Sequence, residues 1–356
     1  MTGPVNSPLT GLGVPLPLVA APMAGGPTTP ALVIAAGRAG ALGFLAGGYL
    51  APDVLAGRIA TVQEAGVPFG VNLFAPNPVP AVPAEFRQYA SAIQAEADLY
   101  GVDLSGASPV EDDDHWRGKI DVLLASPVPV VTFTFGIPGR DVIEALRGVG
   151  TITGQTVTSA AEARQAADAG LDLLAVQSAA AGGHSGTLTP SRPAAAVPLP
   201  ELVAGVRAVT GLPLLAAGGI ATPAAVAAVL QAGASAAVAG TALLLADEAG
   251  TSAVYRAALA AAQERRPAGP PPGPATVVTR AFTGRPARGL ANLFTARYSA
   301  VAPSGYPALH HLTRPIRAAA AAAGDPDRVN LWAGTGYQHA AAQPAAQILT
   351  ALASGL

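Results

Sequence analysis

The stretch Leu173-Leu-Ala-Val-Gln-Ser-Ala-Ala-Ala-Gly-Gly-His-Ser-Gly-Thr187 sets the reading of this chain. Its first four residues form a continuous apolar run, as strands buried on both faces do. Gln177 ends the run. A glycine-rich loop follows that carries His184, one of only five histidines in the chain. Glycine lets a backbone take positive φ and approach a ligand closely. A histidine held beside such a ligand is a candidate acid or base near neutral pH.

Working outward, similar apolar runs occupy residues 16–20, 41–44, 69–72, 130–133, 151–153, 214–216 and 236–239, so with 173–177 there are eight. Helix-start signals stand between them. Thr29-Pro30 and Thr222-Pro223 each offer an N-cap followed by proline at the first helical position. Ser159-Ala-Ala-Glu162 has capping-box spacing. Gly170 and Gly233 sit where helices should stop. Eight β–α units in roughly 240 residues predict a TIM (β/α)8 barrel in the α/β class. The rival, a doubly wound open sheet, wants a Gly-x-Gly-x-x-Gly turn after an early strand, and the chain has none.

Two segments break the rhythm. Residues 75–125 are too long for one connection and should hold two helices after a proline-rich loop. Residues 266–274, Arg266-Pro-Ala-Gly-Pro-Pro-Pro-Gly-Pro274, read as a stiff linker. The expected organisation is a barrel over residues 1–265 and a mainly helical C-terminal extension over 276–356 that covers the barrel mouth and the substrate pocket. The alanine run 318–323 belongs in one of its helices.

Composition narrows the function classes. The chain has 356 residues, 51% hydrophobic and 12% charged, with net charge −2. A nucleic-acid partner is not expected from that balance. The absence of cysteine excludes disulfides, thiolate metal sites and a cysteine nucleophile. The N-terminus lacks a signal-peptide pattern, and Gly, Pro or charge cuts every apolar run before a membrane-spanning length. A cytoplasmic enzyme without membrane contact is expected, with a homo-oligomer compatible. No metal site is expected. The acidic run Glu111-Asp-Asp-Asp-His115 lacks EF-hand spacing and reads as a solvated loop, and His310-His311 lack the i, i+4 spacing of a zinc pair.

A barrel binds its ligand at the C-terminal ends of its strands, with phosphate near the last two loops. The unusual residues fall there. Ala21-Pro-Met-Ala-Gly-Gly26 follows the first strand, and Asn72 ends the third. Gln177 and Gly182-Gly183-His184 follow the sixth. Gly218-Gly219 follows the seventh, and Val238-Ala-Gly-Thr241 closes the eighth. Gly240-Thr241 at a helix start suits a phosphate. Asn72 and Gln177 are amides that need partners, which a heteroaromatic ring edge would offer. Thr279-Arg-Ala-Phe-Thr-Gly-Arg-Pro-Ala-Arg288 concentrates three arginines, read first as ties between extension and barrel and second as cover for a phosphate or substrate anion. Tyr298 and Tyr306 are read first as packing residues with one hydrogen bond each, and second as lining of the substrate pocket.

Taken together, these segments resemble the FMN-dependent nitronate monooxygenases, formerly 2-nitropropane dioxygenases. The resemblance rests on residues 21–30, 70–74, 177–186, 218–220, 239–241 and 279–289 and runs over nearly the whole chain. It implies a TIM barrel holding one non-covalent FMN. The implied cofactor contacts are Pro22, Met23, Ala24, Asn72, Gln177, Gly182, Gly183, Gly219, Val238, Ala239, Gly240 and Thr241. His184 is the implied catalytic base, taking the α-proton of a neutral nitroalkane. The nitronate so formed is oxidised with O2 to a carbonyl compound and nitrite. A nitronate supplied directly needs no such base. The family pattern usually runs Gln-Gly-x-Glu-Ala-Gly-Gly-His-Arg-Gly; here Ser178, Ala180 and Ser185 replace its glycine, glutamate and arginine. Two other functions suit the same residues: an FMN-dependent NAD(P)H reductase of a quinone or enoyl thioester, and a flavin-binding protein without catalysis.

Overall fold

The computed structural model describes residues 11–192, 195–264 and 275–356. The linker expected at 266–274 and the N-terminal ten residues lie outside that set. Eight parallel strands close into one barrel: β1 (Leu18–Ala20), β2 (Leu42–Ala46), β3 (Phe69–Ala75), β4 (Val130–Phe135), β5 (Ile152–Val157), β6 (Leu173–Gln177), β8 (Leu214–Ala217) and β9 (Ala236–Ala239). β9 pairs with β1 to complete the ring. Each is one of the eight apolar runs. β2, β3, β4 and β5 all run past the ends of their apolar runs; in β4 and β5, Thr134, Gln155 and Thr156 interrupt the apolar pattern there.

Helices α1 (Pro30–Arg38), α2 (Pro52–Glu64), α3 (Pro83–Asp98), α4 (Trp116–Ala125), α5 (Arg140–Gly148), α6 (Ala160–Asp168), α7 (Leu199–Arg207) and α8 (Pro223–Gln231) follow the strands. Thr29 and Thr222 cap as expected, each accepting a backbone N–H three residues on. Gly170 and Gly233 take positive φ just beyond α6 and α8. Ser159 accepts the Glu162 N–H, but Glu162 does not close a capping box onto Ser159. Its carboxylate accepts from Thr158 N, Thr187 Oγ1 and Leu188 N instead. It thereby anchors the far end of the His184 loop. The insertion holds α3 and α4, as the length of 75–125 required.

The C-terminal extension is mainly helical, with one hairpin that the helical expectation missed. Beyond α9 (Ala253–Glu264), strands β10 (Thr276–Thr279) and β11 (Ala287–Leu290) pair antiparallel. β11 also pairs with β7 (Gly183–His184), placing Ala287 opposite His184 and Arg288 opposite Gly183. The extension therefore supplies a strand to the loop that carries the histidine. Helices α10 (Leu293–Tyr298), α11 (Ala308–Ala322, containing most of the alanine run) and α12 (Ala345–Leu352) follow.

Two buried cores position the site. Barrel strands and surrounding helices share the main core, which also takes Ala345, Ile348, Leu349 and Leu352 of α12. That last helix contacts α1 and α8, closing the outer helical ring. α3 and the extension form a second core around Phe86, Tyr89, Phe282 and Phe294. It is locked by Glu96, 2% exposed, which meets Arg297 (2.6 Å) and Arg328 (2.7 Å) and accepts from the Tyr298 hydroxyl (3.0 Å). Insertion and extension thus form one body over the barrel mouth.

Candidate active site

A cavity of about 510 Å³ opens at the C-terminal ends of the strands, within the range of cofactor pockets. Pro22, Met23, Ala24, Asn72, Gln177, Gly182, Gly183, His184, Gly219, Val238, Gly240 and Thr241 all line it. Ala239 is the exception. It is fully buried in β9, where its carbonyl accepts the Ala21 N–H at 2.9 Å, so it holds up the wall without reaching the cavity. Strand alternation accounts for this: a residue flanked by two cavity-facing positions points the other way.

The glycines allow backbone-to-backbone contact. A Cβ on Gly182 would lie 2.6 Å from Gly334 N, and one on Gly334 would lie 2.6 Å from Ala180 O. The 180–182 and 333–335 segments touch directly, joined by Thr335 N donating to Ala180 O at 3.0 Å. Gly334 N donates to Thr241 Oγ1 at 2.9 Å, which brings the β9 loop into the same cluster. Gly218 and Gly219 have φ of +124° and +74° and complete this small-residue cradle. Its 334–336 arm is too far along the chain for the strand pattern to have indicated it.

The two amides differ from expectation in their partners. Gln177 donates to the His184 carbonyl (3.1 Å) and accepts from Gly186 N (2.7 Å), bracing the loop at the histidine and just beyond it. Asn72 Nδ2 donates to Thr132 Oγ1 and Thr134 Oγ1, both at 3.0 Å. Protein groups, not an open ring edge alone, satisfy both side chains.

His184 Nε2 lies 2.9 Å from Thr283 Oγ1, on the turn between β10 and β11. The Thr283 hydroxyl donates to Arg285 O at 3.2 Å. Assigning the Thr283 proton to Arg285 O makes Thr283 the acceptor of Nε2–H and leaves the lone pair on Nδ1. Phe135, Tyr306 and Trp332 ring the imidazole at centroid distances of 5.8, 5.9 and 5.4 Å. Burial, with the nearby Arg285 and Arg317 cations, pushes its pKa down to about 3. The imidazole is neutral across the physiological range.

The arginine-rich stretch ties the extension down. Arg285, fully buried, donates to Thr187 O at 2.5 Å and stacks 3.9 Å from the Phe135 ring centre. Arg288 donates to Ala179 O at 2.6 Å and Arg280 to Pro190 O at 3.4 Å. All three reach carbonyls of the β6–α7 connection. Tyr298 stays in the second core, whereas Tyr306 stands edge-on to His184.

The cavity has a second wall that the glycine pattern does not mark. Tyr49, His310, Arg314, Arg317, Asn330 and Trp332 line the cavity. His310 stacks on Tyr49 with centroids 4.4 Å apart. His310, Arg314 and Arg317 recur at i, i+4 and i+7, one face of a helix, and that spacing was the available signal. The acidic run also does more than face solvent. Asp114 accepts the Tyr49 N–H at 3.0 Å and pairs with the buried Lys119 at 2.7 Å, while Asp112 lies 2.8 Å from His311. Among the described residues, no helix is long and apolar enough to cross a membrane.

Comparison with known proteins accords with this geometry. The family model described as nitronate monooxygenase matches residues 6–355. A probable nitronate monooxygenase of Staphylococcus saprophyticus is 33% identical over 337 residues, covering 93% of this chain and 92% of that protein. A probable nitronate monooxygenase of Bacillus subtilis is 31% identical, covering 90% of each. The crystal structure of nitroalkane oxidase from Streptomyces ansochromogenes superposes with a TM-score of 0.88 at 42% identity, covering 98% of this chain and 97% of that one. FabK from Thermotoga maritima superposes with a TM-score of 0.73 at 25% identity, over 98% and 94%. A match spanning both barrel and extension leaves no part of the site outside the likeness, and the chain is an oxidoreductase that belongs to the nitronate monooxygenase family.

Proposed function

We propose that this protein binds FMN in the barrel-mouth cavity and oxidises alkyl nitronates and nitroalkanes with O2 to a carbonyl compound and nitrite. The observation that carries the reading is His184: a neutral imidazole with Nδ1 unpartnered among the described residues, on the wall of a glycine-cradled cavity. The residues fit the cofactor. Gly218, Gly219, Gly240 and Thr241 present backbone where a phosphate needs close approach, and Met23, Asn72, Gln177 and Gly182 border the space for a planar ring. Bound FMN supplies the electron acceptor for the nitronate and the route to O2.

The chain's own residues do the remainder. Thr283 orients the imidazole, and His184 Nδ1 takes the α-proton of a neutral nitroalkane. The imidazolium so formed faces a new anion, which offsets part of the cost of charging a buried histidine. Phe135, Tyr306 and Trp332 keep bulk water from the proton being moved. Residues 276–356 act as the pocket cover, apart from α12, which returns to the barrel wall. The protein works in the cytoplasm on a small-molecule substrate and O2.

Anaerobic mixing of the flavin-loaded protein tests this. Bleaching by a nitronate, with nitrite formed on admitting air, is the expected result. Bleaching by NAD(P)H alone would make the protein a reductase, and no bleaching by either would leave it a flavin-binding protein. His184→Ala should lower turnover of a neutral nitroalkane by roughly 10²- to 10⁴-fold with FMN still bound. Unchanged nitroalkane turnover in that variant removes His184 as the base.

A further inference from the structure

Arg317 is a cation in the cavity wall without a carboxylate. Its Nε donates to Thr313 Oγ1 (3.1 Å), its Nη1 to Asn330 Oδ1 (3.1 Å) and its Nη2 to His310 O (2.9 Å), with His310 Nδ1 a further 3.3 Å contact. All of these partners are neutral. A guanidinium has five N–H groups, so one N–H on Nη1 has no partner among the described residues. Arg314, one turn earlier on α11, reaches the cavity from its exposed rim and makes no ion pair among the described residues. No aspartate or glutamate is among the described residues that line the cavity. A charge with little access to water is normally paired, and among the described residues no carboxylate pairs this one.

We propose that Arg317 is the specificity residue of this site, holding the anionic head of a nitronate in preference to the neutral nitro group of a nitroalkane, with Arg314 drawing anions to the mouth. This rests on the oxidation reading above. A nitronate carries its charge on two oxygens of a planar group, the shape a guanidinium N–H edge matches. The fixed hydrogen bonds to Thr313, Asn330 and His310 O pre-orient the guanidinium. Little side-chain freedom is then lost when the anion arrives. His310 does not share the positive charge, because burial and Arg317 itself hold it neutral, its pKa pushed down to about 2. The cofactor phosphate is the other anion that could claim this charge, but the glycine cradle around Gly219 and Thr241 is built from residues that Arg317 does not touch.

The test uses flavin-loaded protein, with nitrate as a planar, unreactive monoanion and nitroethane below its ionisation range as the neutral counterpart. Wild type should bind nitrate, seen as a perturbed flavin spectrum, in competition with nitronate. Arg317→Gln should weaken nitrate binding and kcat/KM for nitronate by roughly 10- to 100-fold, with a much smaller change for nitroethane. Arg317→Lys should recover part of the loss. Arg314→Gln should mainly flatten the salt dependence of kcat/KM for nitronate. An unchanged nitronate-to-nitroethane ratio in Arg317→Gln overturns the proposal. Loss of flavin from Arg317→Gln would assign that charge to the cofactor phosphate and overturns it equally. If Arg317→Gln does not fold, the wild-type titration decides: nitrate binding no tighter than nitroethane ends the idea. Should wild type oxidise neither substrate, the oxidation reading fails separately, while the nitrate titration still reports on the anion site.

Discussion

Acid should destabilise this protein through two histidines, and the size of the effect can be worked out. His184 and His310 have pKa values pushed down to about 3 and about 2, by burial first and by arginine charge next. An unfolded histidine titrates near 6.5. Above that value both states hold the neutral ring, and its burial carries no pH-dependent penalty. Below it the unfolded chain binds two protons that the folded protein refuses, so stability falls as pH falls, until the folded values are reached. At about pH 5 the medium lies one and a half pH units below the ordinary value, and at about 1.4 kcal/mol each this gives roughly 2 kcal/mol per histidine, or about 4 kcal/mol for the pair. The assay is urea unfolding followed by circular dichroism at about pH 7.5 and pH 5, on wild type and on the double variant His184→Gln/His310→Gln. Wild type should lose about 4 kcal/mol more than the double variant over that interval. Carboxylates common to both proteins cancel in the comparison. Equal losses in the two proteins would refute the claim that these rings are held neutral.

Two further outcomes follow from packing. Gly182→Ala places a Cβ 2.6 Å from Gly334 N and 2.8 Å from Ala333 C; both are backbone atoms that cannot rotate away, so the variant should lose about 1–3 kcal/mol and purify with less FMN, read from the flavin-to-protein absorbance ratio. Glu96→Ala strips the buried carboxylate from Arg328 and Arg297. Because Arg297 is 53% exposed and regains water, the loss should sit at the lower end for a broken buried pair, about 3 kcal/mol, measurable by urea unfolding, with nitronate kcat changed less than KM as the cover loosens.

The barrel was legible because its strands are buried on both faces. Such strands read as plain apolar runs, and Thr29, Thr222, Gly170 and Gly233 mark helix ends by local chemistry alone. Strand ends were less legible for a physical reason. At the cavity, Thr132, Thr134 and Thr156 face inward and form a hydrogen-bonded polar cluster with Asn72, so the last turns of β4 and β5 look like loop. The first wall of the site was also visible, since glycines after strands are conspicuous. Its second wall was not. Arg317 and His310 sit in an alanine-rich helix whose composition suggests filler; their shared helix face is the one local signal, and their tertiary partners Asn330 and Tyr49 give that face its role. The pairing of β11 with Gly183–His184 is a contact a hundred residues apart in sequence, which no local pattern specifies.

The charges around His184 link the two substrates in opposite directions. Burial first, and Arg285 and Arg317 next, lower the basicity of the imidazole; in the proposed base role this would slow removal of a proton from a neutral nitroalkane. The same positive field attracts a nitronate, which needs no proton removed. Changing the Arg317 charge therefore cannot favour both reactions. Removing the Arg317 charge raises the proton affinity of His184 and weakens the hold on the anion together, so the preference between the two substrates moves from both ends at once. Arg285 cannot serve as the adjustable charge, because its guanidinium already fastens the hairpin to Thr187 and stacks on Phe135. Arg317, held only by neutral acceptors at the cavity wall, is the position at which this selectivity can be changed while the cover over His184 keeps its other ties.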